Sequence, residues 1–323
     1  MCYCQQVTPG LKLEPEFTIV IGTYNRPDHL RDAMDALLAQ TFASFEVLIV
    51  DRGSSPPVEY LVKELTDERF KYIRSSQEIH FVDAINQVIH EARGRYIFCP
   101  GDDDVLVSRG LEWVRSLFRA HLDCDIVAVG GIFYDASSLQ WPNSIDALRE
   151  LSFCVDVFDE DRLWEKREGI DYVKFILHTQ FIGPQSREDH NLQFVHPSCW
   201  FLRRSAVDRT TFTQGGLMVK PSCDSGYIGI AHTTNVFYLN LPLVVLSCGS
   251  RNRSSEVSRR SWVSDVSENR YLPRVATLQI RGAESLLRVL FLNRIEGCYD
   301  TNIGEGLYVD AIKQVLGDPV KDL

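Results

Sequence analysis

FTIVIGTYNRPDHLRDAMDALLAQTFASFEVLIVDRGSS, residues 17–55, reads as a strand, a helix and a second strand in close succession. Phe17 to Ile21 is short, apolar and rich in β-branched residues, and it stops at Gly22, as expected of a strand buried on both faces. Pro27 suits a first helical turn, and Leu30, Ala33, Met34, Leu37 and Leu38 then recur at helical spacing to make one apolar stripe. Phe45 to Val50 is a second apolar run, ending in the turn-forming cluster Asp51-Arg52-Gly53-Ser54-Ser55.

The same alternation continues outward. Val58, Leu61, Val62 and Leu65 mark a helix, Phe70 to Ile73 a strand, and Val82, Ile85, Val88, Ile89 and Ala92 a helix stopped by Gly94. Tyr96 to Cys99 is a fourth strand, running into Pro100-Gly101-Asp102-Asp103-Asp104. Leu111, Val114, Leu117 and Phe118 form another stripe before a strand at Ile126 to Val129. Strands alternating with helices to about residue 130 predict an α/β layer, a mostly parallel open sheet flanked by helices. Such sheets bind ligands beyond the carboxyl ends of their strands, so the polar clusters Thr23 to Arg26, Asp51 to Ser55 and Asp102 to Asp104 are expected to meet at one edge.

Past residue 130 the periodicity weakens. The organisation expected is an N-terminal tail (1–16), an α/β region (17–130), a second region of weaker periodicity (131–260) and a C-terminal helical subdomain (261–323). Residues Gly249 to Arg260 carry Arg251, Arg253, Arg259 and Arg260 among serines, without helical spacing, and read as a basic loop.

Bulk properties exclude several classes. A net charge of −10 leaves no concentrated basic face for nucleic acid, and an acidic protein that handles a phosphorylated ligand usually needs a cation. No run approaches the roughly 20 apolar residues that span a bilayer, although peripheral contact stays open. The start, Met1-Cys2-Tyr3-Cys4, lacks the basic and apolar segments of a secretory signal, which favours a cytoplasmic setting, free or at the inner face of a membrane. Nine cysteines without a Cys-x-x-Cys pair indicate neither a zinc site nor a disulfide framework.

Three consecutive carboxylates at the end of a strand repel one another unless solvated or neutralised. Taken alone, Asp102 to Asp104 is either an exposed acidic turn or a site for Mn2+ or Mg2+, which take one or two carboxylates and complete their shell with phosphates and water.

The order of elements in residues 17–55, with its Thr-Tyr-Asn-Arg turn, its helix ending in Gln-Thr and its strand ending in Val-Asp, resembles the opening of the inverting family 2 glycosyltransferases. The run AINQVIHEARGRYIFCPGDDDVL, residues 84–106, resembles that family's Gly-x-Tyr-Ile strand and acidic DxD motif. The resemblance implies a GT-A nucleotide-sugar fold. In it Thr23, Tyr24 and Asn25 line the base pocket, Arg26 joins the nucleotide-sugar-binding residues, Asp51 lies near the nucleotide, Arg52 takes the position that often bonds the base, and Asp102 faces the ribose or sugar. Asp103 takes the cation, with Asp104 as a second possible ligand. Where many members carry a second acidic residue after the second strand this chain has Arg52, which puts uridine donors in doubt and suits guanine or thymine, with a solvent-facing side chain as the plainer alternative.

Inverting transfer needs a general base that strips the acceptor hydroxyl while the diphosphate leaves from the opposite face. Asp224, in PSCDSGYIGIAH, lies where the family places its catalytic aspartate, with a helix cap as the plainer role. Arg251 and Arg253 are candidates to close over the phosphates, since guanidinium binds phosphate bidentately. His196 and Trp200, in VHPSCWFLRRS, are expected by resemblance near the acceptor, with simple core packing the alternative for Trp200. The function implied is sugar transfer from a nucleotide-sugar donor to a glycan, lipid-linked or protein acceptor, assisted by a divalent cation. Its rivals are a sugar-phosphate nucleotidyltransferase, for which the glycine-rich loop after the first strand is missing, and a non-catalytic nucleotide-sugar-binding module. No Gly-x-Gly-x-x-Gly dinucleotide signature follows the first strand either.

Overall fold

The computed structural model describes residues 14–135, 164–168, 197–208 and 234–248. Its N-terminal half follows the periodicity closely: β1 (Phe17–Thr23), α1 (Pro27–Leu38), β2 (Phe45–Asp51), α2 (Glu59–Leu65), β3 (Phe70–Arg74), α3 (Phe81–Val88) and β4 (Tyr96–Phe98). β1 and β2 are buried at every position, because helices cover both faces of the sheet. Pro27 opens α1, and Leu30, Ala33, Met34 and Leu37 are its buried stripe. α2 is shorter than its apolar stripe suggests, with Val58 at its N-cap.

The remaining described strands and α-helices are β5 (Val105–Leu106), α4 (Gly110–Ala120), β6 (Cys124–Asp135), β7 (Trp164–Glu168), β8 (Trp200–Arg203), the short helix Arg204–Asp208, and β9 (Asn235–Cys248). The sheet runs β3-β2-β1-β4-β8-β6-β9-β5, with β7 also paired to β9. β3, β2, β1 and β4 are mutually parallel. Beyond β4 the sheet becomes mixed. β8 is antiparallel to both β4 and β6, and β5 and β7 are antiparallel to β9, while β6 and β9 pair in parallel. β6 continues past residue 130, so the strand itself crosses the expected boundary there. The expected C-terminal helical subdomain and the basic loop lie outside the described residues.

Two features fix the sheet around the site. Gly94 passes so close to β1 that a Cβ there would lie 2.3 Å from the Thr18 backbone nitrogen. That approach lets the Gly94 N–H donate to Thr18 Oγ1 at 2.8 Å. Gln40, just after α1, donates from Nε2 to the carbonyls of Leu106 and Val107 and accepts the Leu111 N–H. Its amide thus ties the end of α1 to the start of α4 and to the strand that leaves the acidic turn. Among the described residues no helix is long and apolar enough to cross a membrane.

Candidate active site

The loops after β1, β2 and β4 converge at the carboxyl edge of the parallel strands, as the alternation predicts. A parallel bridge between Gly22 and Gly101 brings the end of β1 beside the acidic turn. Gly22 lies under the Phe81 ring, where a Cβ would come within 2.9 Å of it.

The first loop is stitched to the second. Asn25 adopts a left-handed backbone (φ 54), a conformation asparagine tolerates better than most residues. Its N–H donates to Ser54 Oγ at 2.9 Å, and its Oδ1 accepts the Ser55 N–H at 2.8 Å. Asp51 organises the second loop from within. Its carboxylate accepts from the N–H groups of Gly53, Ser54 and Val58 and from the Tyr72 hydroxyl at 2.6 Å. Burial pushes this carboxyl up, but the hydrogen bonds from Tyr72 and the loop outweigh it and hold the pKa below its ordinary value. Asp51 is fully buried, and these bonds shape the loop from within.

Arg52 points the other way. Its Nη1 donates to the Ile79 carbonyl at 3.1 Å, and its guanidinium lies 5.5 Å from the Tyr24 ring centre and 6.0 Å from that of Phe81. The Tyr24 hydroxyl donates to Glu78 Oε2 at 2.8 Å. Tyr24, Arg52, Glu78 and Phe81 therefore form one wall beside the loop of Asp51.

The acidic turn is neutralised from inside the chain. Thr23 Oγ1 donates to Asp102 Oδ2 at 2.8 Å. Arg26 spans two carboxylates, Nη1 to Asp102 Oδ1 and Nη2 to Asp103 Oδ2, each at 2.7 Å. Asp102 is only 4% exposed; burial raises its pKa to about 6 even though Arg26 and Thr23 act in the opposite direction. Asp104 faces the interior. Its Oδ2 accepts from the Gly101 N–H and from the Ser198 hydroxyl, and its side chain lines a small cavity with Ile21, Leu37, Phe98 and Val244. The expectation of Asp104 as a second metal ligand therefore meets a carboxylate that braces the turn against the segment leading into β8.

Trp200, expected near the acceptor, is 1% exposed within the core, on β8 opposite Ala128 of β6. Burial leaves it no face for a sugar, so the core alternative describes it. His196, Asp224, Arg251 and Arg253 lie outside the described residues. Ser198, Tyr72 and Glu78 were not singled out from the sequence. Ser198 stands two residues after His196, but nothing in one-dimensional order links it to a carboxylate 94 positions earlier.

The family model for Glycosyl transferase family 2 matches residues 18–211, which include every loop of this edge. The chain belongs to that family. Among curated relatives of this family 2 chain, the succinoglycan biosynthesis protein ExoO of Rhizobium meliloti (strain 1021) is 27% identical over 181 residues, 55% of this chain and 51% of that protein. Glycosyltransferase GlyG of Streptococcus pneumoniae serotype 4 is 21% identical over 286 residues, 86% of each. The chain spans about half the length of the first curated relatives it matches. A solved structure, S. aureus TarS 1-349 in complex with UDP-GlcNAc, aligns with 93% of this chain and 80% of its own at a TM-score of 0.54 and 13% identity. That likeness identifies the fold as GT-A.

Proposed function

We propose that this family 2 protein is an inverting glycosyltransferase that moves a sugar from a nucleoside-diphosphate sugar to an acceptor hydroxyl with the help of Mn2+ or Mg2+. The observation that supports this most is the meeting of Thr23, Arg26, Asp102 and Asp103 at the carboxyl edge of β1 and β4. A guanidinium bridging two of the carboxylates shows that the turn accommodates a positive centre, and carboxylate oxygens are the hard donors these cations prefer. Among the described residues no three His, Cys, Asp or Glu side chains gather into a metal cluster. A cation here would be held by one or two carboxylates and completed by the donor's phosphates.

In this reading Asp103 is the principal ligand, Asp102 takes the ribose or sugar side, and Asp104 keeps the turn in shape. Tyr24, Asn25 and the loop organised by Asp51 flank the nucleotide, with Arg52 beside the base. The bound cation would neutralise charge gathering on the departing diphosphate. Asp224 deprotonates the acceptor, and Arg251 or Arg253 grips the phosphates. A glycan acceptor is supported by the relative named for succinoglycan biosynthesis. Contact with a membrane surface would accompany a lipid-linked acceptor.

The test is incubation with a panel of nucleotide sugars, with and without Mn2+, followed by the anomeric configuration of the product. Expected are cation-dependent donor turnover, inversion, and loss of turnover in Asp103→Asn and Asp224→Asn. Donor binding without turnover across a broad acceptor panel would instead make the protein a binding module, and retention at the anomeric carbon would rule out inversion.

A further inference from the structure

The acidic turn already holds a positive group, and that group is part of the chain. Arg26 places one guanidinium nitrogen on Asp102 and the other on Asp103, both at 2.7 Å, with its side chain 18% exposed. Thr23 takes the second oxygen of Asp102, and Gly101 and Ser198 hold Asp104. Arginine does not lose its proton in proteins, so this charge leaves the turn only if the side chain moves. A divalent cation and a guanidinium repel strongly at contact distance in a site this little hydrated.

We infer that Arg26 competes with the catalytic cation for Asp102 and Asp103, keeping the acidic turn closed until a diphosphate arrives to take the guanidinium. The inference rests on the proposed reading of Asp103 as a cation ligand. Phosphate oxygens offer the guanidinium the same two-pronged acceptor geometry that the two aspartates provide. Cation and donor thus enter together: the diphosphate draws Arg26 off the carboxylates, and the freed carboxylates receive the cation that the diphosphate also binds. Mn2+ alone should bind weakly, and the weakness should reside in Arg26.

The experiment measures Mn2+ binding without nucleotide, from the loss of the free-ion electron paramagnetic resonance signal, for wild type, Arg26→Gln, Arg26→Lys and Asp103→Asn. Expected is at least a tenfold tighter Mn2+ site in Arg26→Gln and a smaller gain in Arg26→Lys, which keeps the charge but cannot bridge two carboxylates. Asp103→Asn should abolish the site. Added Mn2+ should also raise the melting temperature of Arg26→Gln by more than that of wild type. If Arg26→Gln does not fold, Arg26→Lys gives the same readout at lower amplitude. Mn2+ affinity unchanged or weakened in the Arg26 variants, with binding still dependent on Asp103, would overturn the competition and leave the cation reading intact. No Asp103-dependent Mn2+ binding in any variant would overturn both.

Discussion

Thr23 and Asp102, 79 residues apart in the chain, are joined by a 2.8 Å hydrogen bond at the point where β1 and β4 end side by side. The bond is buried, and it fixes which oxygen of Asp102 remains for Arg26. Through it the Thr-Tyr-Asn-Arg turn and the acidic motif, separate in the sequence, act as one unit.

Asp103 and Asp104 are neighbours with different tasks. Asp103→Asn should lower donor turnover about 100-fold or more while costing less stability than Ser198→Ala, because the amide keeps an oxygen that can accept from Arg26. Ser198→Ala removes the hydroxyl that donates to Asp104, leaving a buried acceptor short of a partner at a cost of about 1–2 kcal/mol. Its melting temperature should drop by several degrees, with turnover reduced by less than tenfold. Parallel melts and turnover assays check both, and the reverse pattern would exchange the roles.

Arg52 stands against the Tyr24 and Phe81 rings, and in the proposed reading it would present only donors to the base. The uracil N3–H, a donor, gains nothing from it, whereas guanine O6 and N7 form an acceptor pair that arginine reads well. In a thermal-shift panel with Mn2+, GDP should stabilise the protein more than UDP or dTDP, since thymine carries the same N3–H as uracil, and Arg52→Asp should shift the preference toward UDP. Clear UDP selectivity in the wild type would refute this role for Arg52.

At the opposite end of the sheet Glu46 is buried and accepts from Thr18, Lys71 and Arg93. Burial raises its pKa, but the bonds from Arg93, Lys71 and Thr18 more than offset that and bring it to about 2, from an ordinary 4.5. A depressed carboxyl pKa contributes stability that is fully present above about pH 4.5 and lost as pH falls toward 2. Allowing for half-exposed Lys71 and Arg93, the contribution is about 2 kcal/mol. Glu46→Gln should melt several degrees below wild type at pH 7, and the gap should narrow steadily from pH 5 to pH 2. A gap that is constant with pH would show that the charge contributes nothing.

Gly94→Ala would force a methyl group into the backbone of β1 at Thr18. Backbone cannot step aside as a flexible side chain does, so the cost should be about 3 kcal/mol or more, visible as a lowered denaturant midpoint. A midpoint within experimental error of wild type would mean that β1 and the Gly94 turn can separate without penalty.

Much of the N-terminal half was legible because burial on both faces writes apolar runs into β1 and β2, and one-sided burial writes stripes into α1 and α4. Gln40 and Thr41, recognisable as a motif, gain a physical meaning only in three dimensions, where the Gln40 amide ties α1 to the exit of the acidic turn. β5 was not foreseen: its two residues carry no periodicity, and it exists because β9 pairs with it. Strand direction beyond β4 was equally invisible. β8 reads as a short apolar run whether it lies parallel or antiparallel to β4, and only its neighbours settle the choice.

From residue order alone came the α/β class, the family resemblance and the three polar clusters, since each depends on local patterning or on motifs of fixed spacing. The tertiary structure decided what each polar side chain does. It turned Asp51 and Asp104 inward as braces, buried Trp200, and set Arg26 across Asp102 and Asp103. Partnership between charges depends on distances of a few ångströms, and those are set by how the strands are registered and the loops folded over them.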